Sequence, residues 1–232
     1  MDLLPNDAAK PPGQARESSE PQTPMAAGDF GAWLVQMLAT LRGEASAEVP
    51  CGDCVGCCTS SYFVLVRPED KAARARIPVR LLVPAPGLPD GNRLLAISSD
   101  GSCPMLAKKK CSIYEQRPRT CRDYDCRVFA AAGIEAGAHD KSAINLRVRA
   151  WRFTYSSKDA EDAHRATRAA AAFIKTHAGH FPGERVPTNA SDIAVLAMKV
   201  HGVFLGLDEG ASNPAAIAHM IIEASRAFDA GF

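Results

Sequence analysis

Apolar residues fall into three regimes along this 232-residue chain. Residues 1–28 are rich in proline, alanine and polar groups and show no apolar period, which predicts a disordered leader. Phe30, Trp33, Leu34, Met37, Leu38 and Leu41 then recur at helical spacing and predict a short amphipathic helix packed on a core. That segment carries too few cations for a helix lying in a membrane surface. Next come short, broken signals. Tyr62-Phe63-Val64-Leu65-Val66 favours a strand ending at Arg67-Pro68, and Pro68-Glu69-Asp70 reads as the first turn of a helix through about Ile77. The proline- and glycine-rich stretch 78–92 reads mostly as loop. Arg93–Ile97 and Cys103–Ala107 flank Ser98-Ser99-Asp100-Gly101, and the Asp-Gly pair predicts a hairpin between them. Pro118 opens a helical turn that would set Cys121 near a helix N-terminus, where the backbone dipole favours a thiolate.

Beyond Arg127 the pattern becomes longer and more regular. Val148, Trp151, Phe153 and Tyr155 interleave with Arg147, Arg149 and Arg152, so Leu146–Tyr155 reads as a strand with one buried face; stacking of these aromatics on nucleic acid is the lesser reading. Ser157–Thr176 reads as a helix with an acidic start. Asn189–Leu205 carries Ile193, Leu196, Ala197, Val200 and Phe204 on one stripe, and Asn213-Pro214 caps a last helix bearing Ile217, Met220, Ile221, Ala224 and Phe228. The expected class is α+β: a small cysteine-rich domain with short strands over 29–130, built around metal and preceded by a short helix. A mainly helical region over 131–232 packs on it.

Composition changes this picture at one point. All eight cysteines fall between Cys51 and Cys126, four of them in the run Cys51-x-x-Cys54-x-x-Cys57-Cys58, the rest at Cys103, Cys111, Cys121 and Cys126. Thiolates are soft anionic ligands for zinc, copper(I) and iron–sulfur centres, and two-residue spacers let consecutive cysteines fold onto one ion. Disulfides are the competing explanation. Against them stand a polar start without a secretory pattern, a chain long enough to build a core without staples, and the poor mutual geometry of adjacent Cys57 and Cys58. The eight could fill two four-thiolate sites, or one site with spare thiols. Cys51, Cys54 and Cys57 have the spacing of a four-iron ligand run, but Cys58 follows at once, where a ferredoxin run has three intervening residues. Zinc fits the short spacers equally well.

The run at 51–58, the Cys103-Pro104-Met105-Leu106 segment and Cys111-Ser112-Ile113-Tyr114-Glu115-Gln116-Arg117-Pro118-Arg119-Thr120-Cys121-Arg122 together resemble the bacterial CxxCxxCC family of cysteine-cluster (YkgJ-type) proteins. The resemblance covers residues 51–127, with Cys126 outside its regular part. It implies chelation of zinc or iron. One branch is similar to flagellin lysine methylases, in which the cysteine cluster is thought to carry iron and sulfur, and implies an iron–sulfur-dependent protein-modifying enzyme as the alternative function.

Charge adds support without naming a metal. Between Cys103 and Arg127 there are seven cations and three anions, and the arginines would ease deprotonation of nearby thiols, while Lys108–Lys110 read as a solvated turn. A whole-chain charge of +1 leaves no nucleic-acid footprint. No stretch reaches the ~20 apolar residues of a membrane span. The six histidines lie C-terminal to the cysteine block without metal-site spacing, and no phosphate-cradling or dinucleotide motif occurs. The expectation is a cytoplasmic metal-binding protein, where thiols stay reduced. Its partner is a metal ion, and nucleic acid and membrane are not expected. A thiol redox sensor using Cys57 or Cys58 is the weakest alternative.

Overall fold

The computed structural model describes residues 23–47, 49–184, 186–207 and 213–231. Most of the predicted leader, 1–22, lies outside them. The last part of that leader is not disordered, however: Met25–Asp29 forms strand β1, paired in parallel with a strand more than a hundred residues later. Alanines and a glycine give no apolar alternation to read, so the pairing partner alone reveals this strand.

Helix α1 follows at once, Phe30–Leu41, as its periodicity requires. Asp29 caps it by accepting from the Ala32 backbone N–H at 2.9 Å, and its second carboxylate oxygen accepts from Ser156 N at 2.6 Å. The buried face is Phe30, Trp33, Leu34 and Met37. Strand β2 (Val64–Val66) is as expected, whereas α2 (Lys71–Arg76) starts three residues later than Pro68 suggests. Asp70 accounts for the delay: its carboxylate is turned back onto Arg67 N and across to Arg119 N, so the chain turns there before it winds.

The stretch read as loop contains β3 (Leu82–Pro84), an edge strand ending in proline, as proline's missing donor permits. Strand β4 (Arg93–Leu95) lies between β2 and β3, antiparallel to both. This arrangement overturns the predicted hairpin of 93–97 with 103–107. The turn itself exists, with Ser98 N donating to Ser102 O and Gly101 at φ +82°. Both edges of β4 are already occupied, so the returning chain is caught elsewhere: Cys103 N donates to Cys58 O at 2.7 Å. A different hairpin forms instead, β5 (Leu106–Ala107) with β6 (Lys110–Cys111), its two-residue loop being Lys108 and Lys109 at φ +48° and +60°.

Pro118 precedes the short helix α3 (Arg119–Asp123), and α4 (Arg127–Ala132) ends at Gly133 in the left-handed region. The segment read as one strand over 146–155 is two elements, α5 (Ser142–Ala150) and β7 (Trp151–Thr154), the latter being the partner of β1. Ile144 and Val148 are buried four residues apart, a helical spacing, and the alternation holds only from Trp151 onward. The long helices α6 (Lys158–Thr176), α7 (Ala190–Leu205) and α8 (Pro214–Ala230) match the pattern and carry the expected caps, Ser157, Asn189 and Asn213. Of the last stripe, Ile217 and Ile221 are buried, but Met220 faces outward.

The class is α+β. Two hydrophobic clusters form. The larger joins α1 and α4 to α5, α6, α7 and α8 around Phe30, Phe129, Ile174 and Met198. The smaller contains Val66, Ala73, Ile77, Leu95, Met105 and Ile113, beneath the β2–β4–β3 sheet and the β5–β6 hairpin. No helix among the described residues is long and apolar enough to cross a membrane.

Candidate metal centre

Residues of both clusters wall a single cavity of about 440 Å³, and all eight cysteines line it. The first run reaches it through tight turns. Cys54 N donates to Cys51 O at 3.1 Å around Gly52, whose φ of +55° suits glycine, and Gly56 N then donates to the Cys54 sulfur at 3.4 Å. Residues Gly56–Thr59 form a 3-10 turn. Gly56 lies so close to the Ala143 carbonyl that a Cβ would stand 3.2 Å from its oxygen, so a side chain here would push the run off α5.

The remaining four cysteines arrive by different routes. Cys103 is fixed by its bond to Cys58, Cys111 ends the β5–β6 hairpin, and Cys121 sits in α3. Cys126 is buried at the head of α4, where the Trp151 indole N–H donates to its sulfur at 3.3 Å. All eight are free thiols. Their electrostatic neighbourhoods cross the two groups seen in the sequence. Cys126 interacts with Cys51 and Cys54, Cys121 with Cys103 and Cys111, and Cys57 with members of both sets.

Loss of water dominates the chemistry of these thiols. Burial, then Cys57 and Cys54, push Cys51 up to about 11, with Arg147 opposing. Burial likewise pushes Cys121 up to about 12, reinforced by Cys57, Cys103 and Cys111, and Cys126 up to about 12 despite the Trp151 hydrogen bond. Cys103 is raised for the same reason. Contact with Cys58 first, then lost hydration, raises Cys57. The dipole expected to favour a Cys121 thiolate is outweighed: α3 has five residues, and burial decides.

A pH dependence follows from these shifts. A thiol whose ionisation is raised on folding contributes stability that is whole below its unfolded value, ~8.5, and is lost as pH climbs toward its folded value. Metal-free, reduced protein should therefore show a thermal midpoint that falls steadily between about pH 9 and about pH 12, the window set by Cys51, Cys121 and Cys126. A flat profile across that window would contradict the burial of these sulfurs.

The donor set suits a thiophilic metal: eight soft sulfurs around one space, no histidine on its wall, and Asp53 as its carboxylate. Among the described residues, no three Cys, His, Asp or Glu side chains already stand together as a closed metal site. The fit is therefore one of chemistry and placement. Divalent charge would reverse the penalty that keeps the thiols protonated.

Residues 50–143 match the family model CxxCxxCC, described as a "putative zinc- or iron-chelating domain". That segment is similar to the CxxCxxCC family. No curated protein and no solved structure matches the chain. The matched segment contains every cysteine, including Cys126, but not the whole cavity. Arg147 and Trp151 lie beyond it and still reach its cysteines, Arg147 by donating to the Cys51 carbonyl and Trp151 by donating to the Cys126 sulfur. Tyr62, read in the sequence only as the start of a strand, and Tyr124 also line the cavity. Their signal there was position, Tyr62 between Cys58 and Cys103 and Tyr124 between Cys121 and Cys126.

Proposed function

We propose that this is a cytoplasmic metal-binding protein in which Cys51, Cys54, Cys57, Cys58, Cys103, Cys111, Cys121 and Cys126 hold zinc or an iron–sulfur cluster. The observation that carries this reading is the convergence of eight free thiols on one cavity from five separate local structures. Their neighbourhoods favour two ligand sets. Cys51, Cys54 and Cys126 make one and Cys103, Cys111 and Cys121 the other, with adjacent Cys57 and Cys58 supplying a fourth sulfur to each. Bound zinc supplies folding energy, and a bound iron–sulfur cluster supplies one-electron chemistry.

Metal and acid-labile sulfide content of protein purified without air, with its visible spectrum, tests this directly. About one or two zinc per chain without colour, or about four iron with matching sulfide, is the expected result. Protein with neither would overturn it.

The size of the cavity favours one second reading, an iron–sulfur-dependent protein-modifying enzyme resembling flagellin lysine methylases. At about 440 Å³ it falls in the range of small-molecule sites, and it is lined by the exposed rings of Phe63 and Tyr114. Methyl transfer from a sulfonium donor to a lysine peptide, by cluster-loaded protein, would decide between the two.

A further inference from the structure

A second concavity, of about 770 Å³ and free of cysteine, lies between α6 and the chain that leaves α4. Gly133 and Tyr155 line it, together with a stripe of α6 that carries three cations, Arg165, Arg168 and Lys175, against one carboxylate, Glu161. Two of these charges are answered on the helix itself: Arg165 pairs with Asp162 at 2.8 Å and Glu161 with Lys158 at 3.4 Å. Arg168 and Lys175 make no hydrogen bond or ion pair among the described residues, so two positive charges line the groove without a counter-charge.

The helix and its neighbours set where these charges stand. Arg168, Ala172 and Lys175 follow one another at i, i+4 and i+7, so they share one face of α6, and the small Ala172 leaves the space between the two long side chains open. The Arg168 guanidinium lies against Gly133, where a Cβ would stand 2.9 Å from its Nε, and the φ of +67° there also suits glycine. On the same groove His164 is 8% exposed, stacked on Phe30 at 4.3 Å, with Nδ1 2.8 Å from the Tyr155 hydroxyl. Its Nε2 is buried beside the Ala130 and Ala131 backbone. Burial first, and the Arg168 charge next, hold this imidazole below its ordinary pKa, so the guanidinium field reaches the ring.

We propose that this groove binds a small dianionic oxyanion, a phosphate or sulfate group, held over Ala172 between Arg168 and Lys175 with the Tyr155 hydroxyl as a further donor. Two cations match a charge of minus two, and a guanidinium gives an oxyanion paired, charge-assisted hydrogen bonds. His164 does not touch the ligand but is coupled to it. An anion on Arg168 offsets the field that disfavours imidazolium. The ring then takes a proton from solvent, Nδ1 becomes a donor to the phenolic oxygen, and the Tyr155 O–H is released to turn to the anion. The groups around the ring are Arg168, with Arg165 and Glu161 along the same groove, the Tyr155 hydroxyl, the Phe30 and Phe153 rings and the α4 backbone. The site is separate from the thiols and stands independently of the metal reading.

The test titrates the full chain as purified with inorganic phosphate, and separately with sulfate, at an ionic strength held constant with chloride, while NMR follows the His164 ring and the Gly133 amide. Both signals should shift saturably, and the His164 pKa should rise while anion is bound. Sulfate, dianionic throughout, should bind more tightly as pH falls through that pKa. Arg168→Ala and Lys175→Ala should each weaken binding about 10-fold or more, whereas Lys71→Ala, which removes an exposed cation on α2, should leave it unchanged. Arg168→Ala should also raise the His164 pKa of the anion-free protein. Both groove cations are exposed, so the variants should keep the wild-type thermal midpoint, which separates lost binding from lost fold. A response no larger than chloride alone produces would overturn the proposal, as would one that survives both groove variants. Acetate bound as tightly as sulfate would overturn the assignment to a dianion.

Discussion

Stripping metal from the reduced protein is expected to melt the segment between residues 51 and 126 while the long helices persist. The smaller cluster contains six buried apolar residues, and its strands are two or three residues long. Strands this short, in sheets of two or three, do not stand alone in water. Metal binding would add ~10–16 kcal/mol per structural zinc, far more than those six side chains contribute by burial at about 1.5–3 kcal/mol each after chain entropy is subtracted. The helical part depends on no such support: Phe30, Phe129, Ile144, Ile174, Met198 and Ile221 are almost wholly buried in its own cluster. Amide hydrogen exchange checks the expectation. Protection should vanish in β2, β4 and the β5–β6 hairpin on chelation but remain in α6, α7 and α8. A metal-free protein with protection intact throughout would show that the thiols are dispensable to the fold.

Asp125→Ala should be the most damaging single substitution outside the cysteines, at about 3–5 kcal/mol. Asp125 is 4% exposed, and its carboxylate pairs with Arg127 at 2.7 Å, accepts from the Trp33 indole at 2.9 Å and accepts from Arg127 N at 2.9 Å. Arg127 in turn donates to Ala27 O in β1 at 3.0 Å. Removing the carboxylate takes away the ion pair that Arg127 makes at 2.7 Å and leaves an indole N–H without its acceptor. The network also joins α1 and β1 to the residue next to Cys126, so metal uptake should weaken with stability. Urea unfolding at neutral pH measures the loss. A change under about 1 kcal/mol would mean that water replaces the carboxylate, as at an exposed ion pair. Asp125→Asn, which keeps the indole acceptor but not the charge, should fall between wild type and alanine.

The two predictions rest on features of unequal legibility. The cysteine spacing was open to reading because thiolate coordination is a local chemical demand, and the long helices because a 3.6-residue period repeats four or five times in each. Short elements were harder. A three-residue strand such as β3 or a strand of alanines and glycine such as β1 carries no periodic signal, and its partner in the sheet alone determines it. The predicted 93–107 hairpin failed for the same reason, since its turn was right but β4 had already spent both edges on β2 and β3.

By itself, the sequence determined that thiols cluster, that the chain is α+β and that an apolar helical region follows the cysteines, because each of these depends on residues near one another in the chain. Only the tertiary structure decided which sulfurs are neighbours, and it mixed the two cysteine groups. It also brought Tyr62, Tyr124 and Arg147 to the cavity, set the Trp151 indole on Cys126, and made burial prevail over the local dipole at Cys121. These are long-range outcomes. Hydration, hydrogen-bond partners and thiol ionisation depend on which surfaces the folded chain presses together, and no spacing along the sequence encodes them.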